Sequence, residues 1–303
     1  MGTAIALGNF DGVHKAHAKL LENMTAYAAC HGLESVVYLF APHPRTLLCP
    51  DSPPALLMTT EMKRRRLREA GADRVFLEAR GMEILSLSPE AFVDRILVGE
   101  LDARYVTAGF NYRFGAGAEG DAALLSKLCR ERGIACEILE SVEFEGKPLS
   151  STRLRAFLEE GDVARIYRAS FAPYTIMGTV TEGKKLGRTL GFPTLNIEIP
   201  KELLLPRRGV YISRTRILEK EYESITNIGQ NPTVEKACPR AESHLLDFSG
   251  EVYGENAEIA LLEFIRPEEK FSSVAALREQ IRQDKEKARQ FFERKDHYAA
   301  DTY

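Results

Sequence analysis

Apolar and polar positions alternate in two textures along the chain. In the first half, short apolar runs are separated by segments whose apolar residues recur every three or four positions. Residues 3–7 (TAIAL) form such a run and end at Gly8. The next segment sets Leu20, Leu21, Met24, Tyr27 and Ala28 on one helical face and stops at Gly32. Residues 35–40 (SVVYLF) read as a buried strand. Thr60 is placed to cap a helix over 61–70, and 74–77 make another strand. Ser88-Pro89-Glu90 has Pro at a first helical position. A strand over 105–108, a helix over 121–132 closed by Gly133, and a strand over 134–139 follow. This alternation predicts βαβ units around a parallel sheet. Ser151-Thr152 is placed to cap one more helix, over 153–160.

After Tyr174 the period changes. TIMGTV, LNIEI, GVYISRTRI, SITNIG, SHLLDF and EIALLEFI are short strands with turn signals between them. Such a series predicts an antiparallel barrel or sandwich. A final helix over 273–292 would turn Val274, Leu277, Ile281 and Ala288 inward. The change of texture near 168–174 divides the chain into 1–170 and 171–303.

The 303 residues fit two domains at roughly 100–200 residues each. With 41 Lys plus Arg against 44 Asp plus Glu, the net charge is −3. That balance argues against nucleic acid or an anionic membrane as partner. No run approaches ~18 apolar residues, and the start has no basic n-region, so neither a membrane span nor a signal peptide is expected. The five cysteines form no CxxC pair and have no His at finger spacing, which fits a reducing cytoplasm.

Two constellations carry chemistry in the first half. GNFDGVHKAH (8–17) joins the first strand to the first helix. Ligands of an open parallel sheet bind at the carboxyl ends of strands, and a helix N-terminus there suits phosphate. His14 and His17, three apart, can donate to charge developing on a phosphoryl group; alone, the pair also fits two solvent-exposed histidines beside a glycine turn. LSSTRLR (149–155) opens a second helix with hydroxyls and guanidinium groups that suit a triphosphate, or with a plain cap and surface arginines. GAGAEG (115–120) has the spacing of a dinucleotide fingerprint, but residues 110–114 separate it from the strand, so it reads as a loop.

In the second half, residues 183–196 (GKKLGRTLGFPTLN) resemble a P-loop but fail it in spacing and in Arg188. A Gly- and Lys-rich loop still wraps phosphates with backbone N–H groups. Thr194 and Asn196 alternate on a strand and offer hard oxygen ligands that suit Mg²⁺. Glu242 and His244 share one side of another strand, where a carboxylate can activate a hydroxyl. NIGQNPT (227–233) reads as a turn.

Taken in order, GNFDGVHKAH, FAPHP, GFNYRFG, LSSTRLR, GRTLGFPTLN, GVY, NIGQNPT and ESHLLDF resemble the prokaryotic bifunctional riboflavin kinase/FMN adenylyltransferase (FAD synthetase) family over almost the whole chain. The resemblance implies a Rossmann-like nucleotidylyltransferase domain followed by a six-stranded antiparallel flavokinase barrel and a C-terminal helix. It implies a cytoplasmic enzyme that phosphorylates riboflavin to FMN and adenylylates FMN to FAD, with ATP as co-substrate and Mg²⁺ as cofactor. By the family's pattern Glu242 is the kinase base, Thr194 and Asn196 hold metal and nucleotide, and Gly183 and Arg188 lie along the ATP phosphates. His14 and His17 would stabilise the transferred phosphate in the first domain. Gly8, Phe10, Asp11, Ser151, Thr152 and Arg153 would bind its ATP, and Asn111 would lie beside flavin or nucleotide. The chain departs from the pattern at Ala16, where the family has Gly, and at Asn111, where it has Asp. Both fall in the adenylyltransferase half. The alternatives are a riboflavin kinase with an impaired first module and a flavin-binding regulator without turnover.

Overall fold

The computed structural model describes residues 2–182, 192–230 and 239–295. Contacts divide the chain into two compact units, Met1–Leu154 and Arg155–Tyr303.

In the first unit the elements run β1 (Thr3–Leu7), α1 (Lys15–His31), β2 (Glu34–Phe40), α2 (Pro44–Leu48), α3 (Thr60–Glu69), β3 (Arg74–Glu78), α4 (Met82–Leu85) and α5 (Pro89–Phe92). A π-helical stretch (Val93–Glu100), β4 (Ala103–Gly109), α6 (Ala122–Glu131), β5 (Ala135–Leu139), and the hairpin β6 (Glu143–Phe144) and β7 (Lys147–Pro148) lead to α7 (Ser151–Glu160). The sheet has the order β3-β2-β1-β4-β5 and every pairing is parallel. β1 is buried at all of its positions, as expected of a central strand in a parallel sheet. Its neighbours on the two sides are β2 and β4, so the strand order reverses between β1 and β4. A crevice opens beyond the carboxyl ends at such a reversal. Behind it, Ile5, Leu7, Val36, Val106, Phe92, Ile96 and Leu125 pack into one core.

Local signals acted as expected at some termini and were displaced at others. Gly32 caps α1 in the left-handed region, φ 64°, and Ser88 caps α5 by accepting from the Ala91 N–H at 3.1 Å. α3 is capped by Thr59, whose hydroxyl accepts from Met62, rather than by Thr60. The residue nearest to capping α7 is Ser150, with Oγ 3.4 Å from the Arg153 N–H. The expected cap, Ser151, points elsewhere. GAGAEG is a loop closed by a Phe114–Gly120 bridge, and α6 starts only after it, capped by Asp121.

In the second unit, α8 (Val163–Ser170), a helix the periodicity did not reveal, precedes β8 (Tyr174–Thr181), β9 (Leu195–Glu198), β10 (Gly209–Ile217), β11 (Lys220–Gln230), β12 (Pro239–Leu245), β13 (Asn256–Arg266) and α9 (Val274–Lys295). The strands close a barrel in the order β10-β11-β12-β9-β8-β13, with antiparallel pairings. Closure removes the unpaired sheet edges. Side chains alternate between the inside and outside of the wall. Ser213, Thr215, Ser224, Thr226 and Ser243 are fully buried on one face and bond to one another at 2.7–3.0 Å. Each hydroxyl donates and accepts, so the cluster satisfies itself. On the other face Ile212, Ile225 and Leu246 meet Ala288 and Phe292 of α9. Arg266 fixes that helix through a bidentate pair with buried Asp284 at 2.8–3.2 Å. Val274, expected to face inward, is 61% exposed because it opens α9 outside this contact. Residues 227–230, expected as turn, continue β11.

Among the described residues no helix is long and apolar enough to cross a membrane.

Candidate active sites

Residues 8–14 turn out of β1 at the reversal of strand order and into α1. The turn is backbone-strained: Phe10 (φ 48°), Gly12 (φ 89°) and Val13 (φ 33°) all have positive φ. Val13 is β-branched, a residue type that rarely adopts this region. A Cβ on Gly12 would stand 2.8 Å from both Leu57 Cδ1 and Leu154 Cδ1. Strain of this kind persists only where surroundings enforce it. Here Asp11 does so. It is buried, and its carboxylate accepts the backbone N–H groups of Leu57 (3.0 Å) and Met58 (3.2 Å). The Asp11 carbonyl accepts the Ser151 hydroxyl at 2.7 Å, which brings the start of α7 to the start of α1.

α1 has no side-chain cap and no acidic residue in its first turn. A helix N-terminus without a capping side chain or acidic first turn is an arrangement that suits phosphate. His14 and His17 stack there with ring centroids 3.8 Å apart and planes 12° apart, and Phe10 packs 5.0 Å from His17. His14 is 3% exposed, and burial lowers its pKa to about 4. His17 is lowered well below the usual imidazole range by burial, then by His14 and by the ammonium of Lys63. Both rings are neutral at pH 7, so each has one N–H to donate. Their Nδ1 atoms are buried without a hydrogen-bond partner among the described residues. Unmatched buried polar atoms are costly in a closed core and are expected where a ligand supplies the partner.

The other residues expected here are less uniform. Gly8 lies against the Phe10 ring, 3.1 Å from where a Cβ would be. Asn111 is exposed just beyond β4, on the other side of the reversal. Thr152 is exposed at the start of α7. Arg153 turns to the β6–β7 hairpin: it donates to the Phe144 and Lys147 carbonyls and lies 5.6 Å from the Phe144 ring. Sequence reasoning missed Lys63, which is only 1% exposed although it carries a cation. Its signal was a lysine on the buried face of α3 between Met62 and Leu67.

In the second unit the site follows from strand register. Glu242 stands directly opposite Asn196 on β9 and opposite Asn227 on β11. Directly opposed residues share a face with Cβ atoms roughly 4.5–5.5 Å apart. Asn196 is buried, Thr194 is half-buried just ahead of β9, and Glu242 is exposed. The Asn196 amide oxygen and the Thr194 hydroxyl are hard oxygen donors. They fit Mg²⁺, which takes few protein ligands and completes its shell with water and substrate phosphate. Among the described residues no group of three His, Cys, Asp or Glu is arranged to hold a metal by itself. Gly183 and Arg188 lie outside the described residues. His244, on the same face as Glu242, is buried and hydrogen-bonded through Nδ1 to the Pro193 carbonyl at 2.8 Å. Burial, foremost, lowers its pKa.

Comparison with known proteins matches each unit separately. The FAD synthetase family profile matches residues 1–153, and the riboflavin kinase profile matches residues 170–292. A bifunctional riboflavin kinase/FMN adenylyltransferase of Escherichia coli (strain K12) is 35% identical over 292 residues, 96% of this chain and 93% of its own length. The protein of the same name from Bacillus subtilis (strain 168) is 34% identical over 295 residues, 96% of this chain and 92% of its own. A crystal structure from Streptococcus pneumoniae, titled a macrolide-efflux protein, superposes with a TM-score of 0.86 at 29% identity, covering 95% of this chain and 94% of that one.

Proposed function

The chain belongs to the bifunctional riboflavin kinase/FMN adenylyltransferase family, and from that premise we propose how its residues divide the work. The enzyme phosphorylates riboflavin with ATP to FMN and adenylylates FMN to FAD with release of pyrophosphate. We assign the adenylyltransferase to residues 1–170 and the kinase to 171–303, and place the protein in the cytoplasm.

In the kinase, the riboflavin 5′-hydroxyl attacks the γ-phosphorus of ATP. The bond to the β-phosphate oxygen breaks, ADP leaves, and Glu242 takes the hydroxyl proton. Thr194 and Asn196 would hold Mg²⁺, which when bound neutralises charge on the ATP phosphates. We assign Gly183 and Arg188, which lie outside the described residues, to the binding of those phosphates. Positioning and charge neutralisation supply most of the acceleration in such transfers. The single observation that carries this assignment is the register pair of Glu242 and Asn196. That pair puts Glu242 and Asn196 side by side on adjacent strands of a closed barrel, which supports their reading as base and metal–phosphate ligand.

In the adenylyltransferase, an FMN phosphate oxygen attacks the α-phosphorus of ATP, and the bond to the bridging oxygen of pyrophosphate breaks. The N–H groups of neutral His14 and His17 donate to the charge that grows on the α-phosphoryl oxygens. The N-terminus of α1 adds the positive end of a helix dipole. Gly8, Phe10 and Asp11 shape the turn for ATP, Ser151, Thr152 and Arg153 complete it, and Asn111 borders flavin or nucleotide.

The test is product analysis from riboflavin, ATP and Mg²⁺. The wild type gives FMN and then FAD. A Glu242→Gln variant that keeps the full kinase rate would remove Glu242 as the base.

A further inference from the structure

β9 is a short strand, and its ladder with β12 ends at the Leu195–Ser243 pair. Thr194 lies one residue beyond that last rung, and Pro193 has no N–H to continue the ladder. Two contacts hold this segment, one from α9, whose Lys285 ammonium lies 5.6 Å from the Phe192 ring centroid, and one from β12. The His244 ring bonds to the Pro193 carbonyl at 2.8 Å and meets the Phe192 ring edge-on, with centroids 5.6 Å apart at 87°. A carbonyl only accepts, so Nδ1 carries the proton and donates. The opposite nitrogen, Nε2, is buried and has no partner among the described residues. Nδ1 is thus the ring nitrogen that ties His244 to the chain, through the Pro193 carbonyl. His244 is two residues from Glu242 and on the same face, so one strand carries both the base and the tie to the residue preceding Thr194.

We propose that His244 is a positioning residue of the kinase site, whose Nδ1–H clasps the Pro193 carbonyl and so sets Thr194 beside Asn196 and Glu242. The inference rests on the kinase assignment above and adds the device that fixes its geometry. Nothing in it requires His244 to touch substrate or to change protonation during the reaction.

The two ring nitrogens separate the tests. An Asn side chain at 244 sets an N–H near the place of Nδ1, whereas Gln reaches toward Nε2. In the full-length protein without ligand, amide hydrogen exchange of residues 192–196 reads the clasp directly. His244→Ala should speed exchange there by about 5- to 10-fold, the value of one lost hydrogen bond, with the remainder of the barrel unchanged. The KM for Mg-ATP in the kinase reaction should rise by a similar factor, while FAD formation from supplied FMN stays at the wild-type rate. His244→Asn should restore both readouts, and His244→Gln should restore neither. Unchanged exchange at 192–196 in the Ala variant would overturn the proposal. So would rescue by Gln instead of Asn, or acceleration spread evenly over the barrel, which would mark His244 as ordinary core. Absence of kinase activity in the wild type, with the exchange pattern as expected, would instead count against the kinase assignment.

Discussion

The two units answer the same chemical need, a nucleotide held for attack at phosphorus, with opposite materials. The first leans on main chain, a strained turn and a helix N-terminus where the strand order reverses, and adds two neutral imidazoles stacked beside them. The second relies on side chains dealt out by strand register, Asn196 and Asn227 flanking Glu242 on the wall of a barrel. A backbone cradle tolerates little change in shape. A register-built site tolerates change around it, yet each donor is a single replaceable group. The units should therefore fail differently.

The largest separation is expected from Glu242→Gln. General bases contribute about 10²- to 10⁴-fold, so FMN formation from riboflavin should fall into that range while FAD formation from supplied FMN is untouched. Rates of both reactions on the same preparation check this. Next come His14→Ala and His17→Ala. Loss of a preorganised donor costs about 10²- to 10³-fold in such sites, here in FAD formation alone, with riboflavin phosphorylation retained.

Gly12→Ala should act on shape rather than charge. Its positive φ and the two leucine contacts at 2.8 Å make it a strain of about 1–3 kcal/mol in the first unit. Calorimetry should show the adenylyltransferase unit melting earlier and the barrel unmoved. The histidine pair also gives that unit a pH signature. Folded His14 has its pKa lowered to about 4 and folded His17 is lowered too, against an unfolded value near 6.5. Between those limits the unfolded chain binds more protons, so their contribution is full above about pH 6.5 and is lost as pH falls toward 4. Stability of the first unit should drop over that window in the wild type, and less steeply in a double Ala variant. The smallest effect is expected from Ser151→Ala, which removes one hydroxyl bond to the Asp11 carbonyl, about 1 kcal/mol.

The same contrast explains what was legible in the sequence. Period and punctuation revealed the parallel sheet, the barrel and most helix ends, because Gly32, Ser88 and Asp121 act locally. They mistook Thr60 and Ser151 for caps, because neighbouring hydroxyls compete and tertiary contact decides: Ser151 is drawn to Asp11, 140 residues away. α8 escaped notice because it lies directly after the glycine that ends α7, in a short segment without a long periodic run. Among site residues, Glu242 with Asn196 follows from alternation once register is known, but register is a long-range property. Lys63 and the His244–Pro193 bond are likewise invisible to spacing, since one is a charge inside an apolar face and the other spans 51 residues.

The most direct measurement mixes two disabled proteins. Glu242→Gln and the His14→Ala/His17→Ala double variant are each incubated alone with riboflavin, ATP and Mg²⁺, and then together. Two independent sites require no FAD from either alone, FMN from the double variant, and FAD from the mixture as FMN passes between molecules. A mixture that accumulates FMN but never FAD, or a Glu242→Gln protein that makes FAD from riboflavin unaided, would contradict the division of chemistry between the two units.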